Sequence, residues 1–295
     1  MLDGIFNVYK EKGYTSHDVV AKLRGIAGQK KIGHTGTLDP DAEGVLPVCL
    51  GKATKVCDVL TDKTKTYQAV LLLGRRTDTQ DISGACLEEQ DTAGLTEEDV
   101  RRAVESFRGD YMQTPPMYSA LKVGGKKLCE LAREGKTVER KARKVQIHRI
   151  EIRRMELPRV WIEVECSKGT YIRTLCDDIG EMLGVGGCME ELLRTRVGSF
   201  RLEDSVRLSQ LEKYREAGTL GEHLIPVDCL FADCPRVDVT ERLEPLLYNG
   251  NPLRLPERED GQLVRMYDSS GRFIALYRYQ QENHIYKNEK MFFNL

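Results

Sequence analysis

In two segments, 145–153 and 160–166, apolar residues largely alternate with polar ones. Strand side chains point to opposite faces with a period of two, so the pair reads as antiparallel strands. No other feature constrains the chain as much: whatever else it forms, it must build a sheet around them. The remaining pattern alternates strands and helices without repeats or low-complexity tracts. Gly4–Lys10 reads as a strand. Thr15-Ser16-His17-Asp18 caps a helix with Val19, Val20, Leu23 and Ile26 on one face, ended by Gly28. Residues 32–44 are rich in Gly, Thr and Asp and read as a loop. The spacing predicts a strand at 45–50, a helix at 53–60, a β segment at 66–73 and a helix from Thr96 carrying Val100, Val104 and Phe107. Pro115 and Pro116 then break the chain, and helices follow at 171–183 and 208–217. After Pro226 and Pro235 the character changes to one short helix (241–248) and a hairpin of 264–267 with 273–279, turned through Asp268-Ser269-Ser270-Gly271.

At 295 residues the chain is long enough for two domains, or for one large domain with a small appendage. It has no apolar run long enough to cross a membrane, and its first residues lack the basic and apolar regions of a secretory signal. Its nine Cys are scattered without a CxxC pair, which fits reduced thiols and a cytoplasmic protein. Membrane, secreted and disulfide-scaffold classes are excluded as expectations. The formal net charge of −1 argues against a nucleic-acid partner only until it is partitioned. Residues 122–159 carry +8, while 81–121 and 160–235 carry −6 each. The basic stretch is suited to phosphates, and equally to a solvated face of a helix and two strands.

The chemistry is densest in Gly33-His34-Thr35-Gly36-Thr37-Leu38-Asp39-Pro40-Asp41-Ala42-Glu43-Gly44. Gly51-Lys52-Ala53-Thr54 is no nucleotide-binding loop, because Leu46 stands at its first Gly position and Ala53 follows the Lys. Asp39, Asp41, Glu43 and Gly44 imitate the start of a calcium loop, but Leu50 replaces its bidentate Glu. The five His show no HxxxH or HExxH spacing, so zinc has little support. What remains is Asp39, followed by a rigid Pro in a Gly-rich loop. It reads either as a turn-capping aspartate or as a carboxylate presented as nucleophile or base.

The wider word, running on through Val45-Leu46-Pro47-Val48-Cys49-Leu50-Gly51, resembles the catalytic signature of TruB-type tRNA pseudouridine-55 synthases. Four more blocks agree in order and spacing: Tyr14-Thr15-Ser16-His17-Asp18-Val19-Val20; Lys65-Thr66-Tyr67; Gln113-Thr114-Pro115-Pro116-Met117-Tyr118-Ser119-Ala120-Leu121-Lys122; and Ser167-Lys168-Gly169-Thr170-Tyr171-Ile172-Arg173-Thr174-Leu175. The resemblance covers residues 4 to about 230 and is looser over the tail. It departs at Glu11, where the family usually has Pro after the Lys, and at Cys129, where Tyr is common.

The resemblance implies an α+β pseudouridine-synthase fold, with a mixed, largely antiparallel sheet flanked by helices. It implies a catalytic domain over 1–232 with an RNA-clamping insertion at about 122–148, and a PUA-like RNA-binding β-barrel over 233–295. The implied activity is isomerisation of uridine 55 in the tRNA T loop, with an accompanying tRNA-folding chaperone activity. No cofactor or metal is implied, and the expected partner is the T-stem-loop, bound by a monomer with no obligatory protein partner. Asp39 matches the essential aspartate, open to attack on ribose C1′, abstraction of the 2′ proton or addition to uracil C6. Arg173 matches the arginine that pairs with it, and Tyr67 the tyrosine stacked on the target base and placed to take the C5 proton. Tyr171 and Leu192 match residues of the uracil pocket. The target must leave its stack to be reached, and His34 matches the residue that fills the vacated space. Lys126, Lys127, Arg140, Lys141, Arg143 and Lys144 are the expected phosphate contacts. Two rival readings are an RNA-binding module without catalysis and a hydrolase using Asp39. The first has no need of Asp39, Tyr67 and Arg173 together, and the second lacks a partner carboxylate or activated water.

Overall fold

The computed structural model describes residues 2–292. Its first half runs β1 (Gly4–Lys10), α1 (Ser16–Ala27), β2 (Ile32–His34), β3 (Glu43–Leu50), α2 (Cys57–Thr61), β4 (Lys65–Leu73), β5 (Arg75–Thr77), β6 (Cys86–Glu89), α3 (Glu97–Ser106) and β7 (Gly109–Gln113). A small hairpin, β8 (Lys122–Val123) and β9 (Lys126–Lys127), leads into α4 (Leu128–Arg133). Then come β10 (Arg143–Glu156), β11 (Arg159–Cys166), α5 (Ile172–Met182), β12 (Gly187–Val197), β13 (Phe200–Arg201) and α6 (Leu208–Glu216). The tail holds β14 (Arg236–Asp238), α7 (Glu244–Tyr248), β15 (Leu263–Tyr267), β16 (Phe273–Gln280) and β17 (Ile285–Met291).

The two segments pair as they read, although register shifts between Ile147 and Arg149 and between Ile152 and Arg154 interrupt the alternation of β10. Val160, Ile162, Val164 and Cys166 are buried, and the residues between them are half-buried. β10 and β11 pair antiparallel from Ile147–Cys166 to Glu156–Arg159. They belong to a nine-stranded sheet of order β1-β3-β12-β4-β11-β10-β7, with β2 on β3 and β13 on β12. Helices α3 and α5 supply Val100, Val104, Leu175 and Ile179 to the core over Leu71, Ile150 and Ile162. Helix α1 buries the stripe expected of it against Phe6, Val8, Leu46 and Val48. Thr15 and Asp18 form a reciprocal capping box, and Gly28 ends the helix in the left-handed region at φ 63°. Burying a side chain such as Leu23 stabilises the fold by about 1.5–3 kcal/mol.

Three departures from the sequence reading matter. The expected helix at 53–60 is a 3-10 turn over Gly51–Val56 followed by α2. The expected loop at 32–44 contributes a short strand, β2, and the first residues of β3. Most important is β12, unmarked in the pattern yet central in the sheet, antiparallel to β4 and parallel to β3. Register shifts between Met189 and Glu191 and between Arg194 and Arg196 break its alternation.

In the tail, four strands form a sheet of order β14-β15-β16-β17, with Leu253 bridged to Tyr286. No pairing of β14 with β17 closes it into a barrel among the described residues. The predicted hairpin turn is built on buried Asp268, whose oxygens accept from Ser270 Oγ, Tyr248 Oη, and Arg272 N and Nε. Tyr267, Phe273 and Phe292 of this sheet share one apolar cluster with Ile5, Val45, Cys49 and Phe200 of the large sheet.

Candidate active site

Asp39 stands in the loop between β2 and β3. Ser16 Oγ accepts from Leu38 N at 2.9 Å, Gly13 N donates to Pro40 O at 2.9 Å, and Ala42 N donates to Asp39 O at 3.1 Å. Lys10, wholly buried, donates from Nζ to the carbonyls of Ala42, Pro40 and Glu11. The loop is thus held on both sides of Asp39 by α1 and β1.

Arg173 meets the carboxylate side-on, with Nε 3.0 Å from Oδ2 and Nη2 3.4 Å from Oδ1. The guanidinium side chain is 7% exposed and that of Asp39 40%, so the base is enclosed while the acid faces open space. The rest of the guanidinium is also occupied. Nη2 donates to Tyr118 O at 2.9 Å, and Nη1 to Thr79 O at 3.0 Å and Asp81 Oδ2 at 3.3 Å. Burial pushes the Asp39 pKa above the ordinary aspartate value; Arg173 and Lys10 oppose the rise, while Asp81 and Asp41 add to it. The guanidinium therefore orients the carboxylate and offsets part of its desolvation without cancelling it.

Tyr67 lies on β4, 8% exposed, in the same core cluster as Leu38 and Ala42. Burial raises its pKa, opposed by Arg194 and reinforced by Asp39. Arg194, on β12, is 1% exposed and donates from Nε to Val45 O at 2.7 Å. Tyr171 precedes α5; its backbone N–H donates to Gln113 Oε1, and its carbonyl accepts from Gln113 Nε2. Its phenol, raised in pKa by burial, is within electrostatic reach of Arg173, Arg143 and Asp39. Leu192 is opposite Ala69 on β4 and packs against the cluster containing Tyr67. His34 ends β2, its Nε2 3.2 Å from His17 Nδ1; burial lowers its pKa, and His17 and Arg194 lower it further.

The basic stretch is less free than its +8 suggests. Lys126 pairs with Glu134 at 3.4 Å, Lys127 with Glu130 at 4.0 Å and Lys144 with Asp110 at 2.7 Å. Arg140 donates from Nη1 to Pro115 O at 3.1 Å. Lys141 and Arg143 make no ion pair among the described residues, and Arg143 lies near Tyr171. Folding pairs half of the expected phosphate contacts with acidic side chains and, among the described residues, leaves Arg140, Lys141 and Arg143 without an ion pair. No cluster of three or more His, Cys, Asp or Glu is placed to hold a metal ion among the described residues.

The sequence reading did not single out Lys10, Asp81 or Arg194 as site residues. Arg194 was hidden with its strand. Asp81 lies in Thr77-Asp78-Thr79-Gln80-Asp81, a polar word that signals a turn and nothing of the guanidinium folded against it. Lys10 ended a correctly read strand, but burial of its ammonium is a tertiary fact.

The mixed sheet thus presents a carboxylate side-on to an arginine, with a buried tyrosine in the same core cluster as the loop's Leu38 and Ala42. Two solved structures share the fold over nearly the whole chain. One is titled as an H/ACA RNP bound to a substrate RNA containing 2'-deoxyuridine (TM-score 0.73, 26% identity, covering 98% of this chain and 85% of that one). The other is a Cbf5-Nop10-Gar1 complex (TM-score 0.73, 28% identity, 99% and 86%). Residues 24–172 match the TruB family pseudouridylate synthase N-terminal domain, and 173–232 the tRNA pseudouridylate synthase B C-terminal domain. Proteins named tRNA pseudouridine synthase B are 52% identical in Lachnoclostridium phytofermentans (99% of this chain, 100% of the relative) and 42% identical in Bacillus pumilus (94% and 93%). The chain belongs to the TruB family of pseudouridylate synthases.

Proposed function

We propose that the protein converts uridine 55 in the T loop of tRNA to pseudouridine, with Asp39 as its essential group. The observation that carries this reading is the side-on pair of half-buried Asp39 with enclosed Arg173, in a chain of the TruB family. The reaction is an isomerisation. The bond from C1′ to N1 breaks, the base turns, C5 bonds to C1′, and the C5 proton is removed while N1 gains one. Nothing is consumed, so the chemistry calls for a base, an oriented pocket and a means of opening the loop. Ionised Asp39 is the base or nucleophile on each of the three routes open to it. Tyr67 stacks on the base and is placed to take the C5 proton, Tyr171 and Leu192 shape the pocket, and His34 occupies the stack that the target vacates.

Removing the C5 proton calls for the phenolate of Tyr67; burial disfavours that form, and Arg194, hydrogen-bonded to the phenol, opposes the rise and stabilises the negative oxygen. The T-stem-loop is bound as a preformed shape. Residues 122–148 close over it, with Arg140, Lys141 and Arg143 as the principal phosphate contacts. Residues 233–295 serve as a PUA-like RNA-binding unit. The protein acts as a monomer in the cytoplasm, and its grip on the T arm supports a tRNA-folding activity separable from chemistry.

Incubating unmodified tRNA with the protein and with Asp39→Ala, then mapping pseudouridine, tests the reading. Modification at position 55 is expected from the parent protein alone. Absence of product from the parent refutes the site assignment on tRNA, and product from Asp39→Ala removes the aspartate from its role. Binding retained by Asp39→Ala supports the separable folding activity.

A further inference from the structure

Arg173 is held from three directions, and one of them is a strained loop. Thr79 and Asp81, which together satisfy Nη1, flank Gln80. Gln80 has a φ of 65°, in the left-handed region that L residues enter at a cost. His284 in the tail is the other described residue besides glycine with positive φ. Gly, Asn or Asp is the usual occupant of such a position, and Gln has no intrinsic preference for it.

The side chain explains the choice. Gln80 Nε2 donates to Asp177 Oδ2 at 2.8 Å, and Gln80 Oε1 accepts from Thr174 Oγ1 at 2.7 Å. Both partners are buried on α5, one and four residues after Arg173. The backbone is tied down too: Gln80 O accepts from Met189 N at 3.0 Å, and Gln80 N donates to Thr77 O at 3.2 Å. One amide thus fastens the loop to the helix that carries Arg173, and the loop returns two acceptors to that arginine. Asn, one methylene shorter, has less reach to the two helix positions. Gly would allow the backbone conformation and make neither bond.

We propose that Gln80 is a positioning residue of the active site: its amide clamps the 77–84 loop to α5 so that Thr79 and Asp81 hold Arg173 side-on to Asp39. The inference rests on the reading of Asp39 as the essential group. It assigns Gln80 no contact with substrate.

The consequence reaches Asp39 through charge. Arg173 and Lys10 lower its pKa, Asp81 and Asp41 raise it, burial raises it most, and Tyr67 lies within reach of the same field. A loosened guanidinium weakens the largest lowering influence, so the carboxylate holds its proton to higher pH and the acid limb of kcat moves up.

The test compares Gln80→Gly, Gln80→Ala and Thr174→Val with the parent and Asp39→Ala, using full-length protein and unmodified tRNA. Gln80→Gly relieves the strained φ and removes the amide. It should lower kcat about tenfold, leave KM for tRNA within about twofold, and shift the acid limb of kcat up by about half a pH unit or more. Gln80→Ala should behave likewise with lower thermal stability, because it keeps the strain. Thr174→Val removes one of the two amide bonds without touching the loop; it should shift kcat and its acid limb in the same direction by a smaller amount, and serves if Gln80→Gly fails to fold. Parent-like kcat and acid limb in Gln80→Gly, or in Thr174→Val where Gln80→Gly does not fold, overturn the clamp. An active Asp39→Ala overturns instead the reading on which the clamp rests.

Discussion

Lys10 Nζ lies 2.5 Å from the carbonyl oxygen of Ala42, and the same ammonium reaches Pro40 O at 3.0 Å and Glu11 O at 3.2 Å. A cation with no exposed surface is spent on the backbone beside the proposed catalytic aspartate. Burial lowers its pKa to about 8, against the pull of Glu43, Asp39 and Asp41.

Deprotonation removes one of its three hydrogens, so activity should decline as pH rises past about 8. Stability should move the other way. The folded pKa lies below the unfolded one, the folded state binds fewer protons between the two values, and stability therefore rises with pH across that window. Lys10→Met leaves carbonyls without a donor, at about 1–3 kcal/mol for each that stays buried and unmet. It should cut kcat at least tenfold and abolish the pH-dependent gain in stability. Rate profiles and urea melts across the alkaline range check both, and a Lys10→Met protein that keeps the gain would assign it to another group.

Asp39→Asn should be inactive and no less stable than the parent at neutral pH. Because burial raises the Asp39 pKa above its unfolded value, the folded state favours the protonated carboxyl more than the unfolded chain does. The preference favours folding at low pH and is lost as pH rises through the folded pKa. A neutral amide avoids the desolvation cost of the ionised carboxylate at pH 7. Thermal melts at pH 4 and pH 7 decide this; a large loss of stability at pH 7 would show that the ion pair outweighs desolvation.

Charge reversal at Lys141 and Arg143 should weaken tRNA binding more than reversal at Lys126 and Lys127. The second pair already spends its charge on Glu134 and Glu130. Each phosphate deprived of its cation should reduce the slope of log affinity against log salt by roughly 0.7–0.9. Equal effects from the two pairs would mean that RNA displaces the acidic partners.

Gly44→Ala should be among the most damaging single-methyl additions. Gly44 has φ +104°, and a Cβ there would lie 2.2 Å from Arg194 O. The clash is backbone on backbone, where β3 meets β12, so no rotamer change relieves it. A loss above about 3 kcal/mol is expected, seen as a fall in melting temperature and loss of product.

Much of this was legible from local rules. The capping box of Thr15 and Asp18, the left-handed stop at Gly28, the alternating pair β10–β11 and the hairpin turn at Asp268 are each set by residues within a few positions of one another. Asp39, Arg173 and Tyr67 were singled out for another reason: each sits in a word that resembles a known family. Strand β12 was not legible, because two register shifts scramble its period and acidic residues interrupt its apolar run. With it went Arg194.

The sequence by itself determined most of the elements with their caps and turns, since these follow from torsional preference, periodicity and short-range hydrogen bonding. Only the tertiary structure decided the electrical state of the site. Whether the +8 stretch stays charged depends on Glu134, Glu130 and Asp110 folding against it. Whether Asp39 is acidified or suppressed depends on burial weighed against Arg173, 134 positions away along the chain. Coulomb energy and desolvation depend on distance and surroundings in space, and a linear order of residues contains neither.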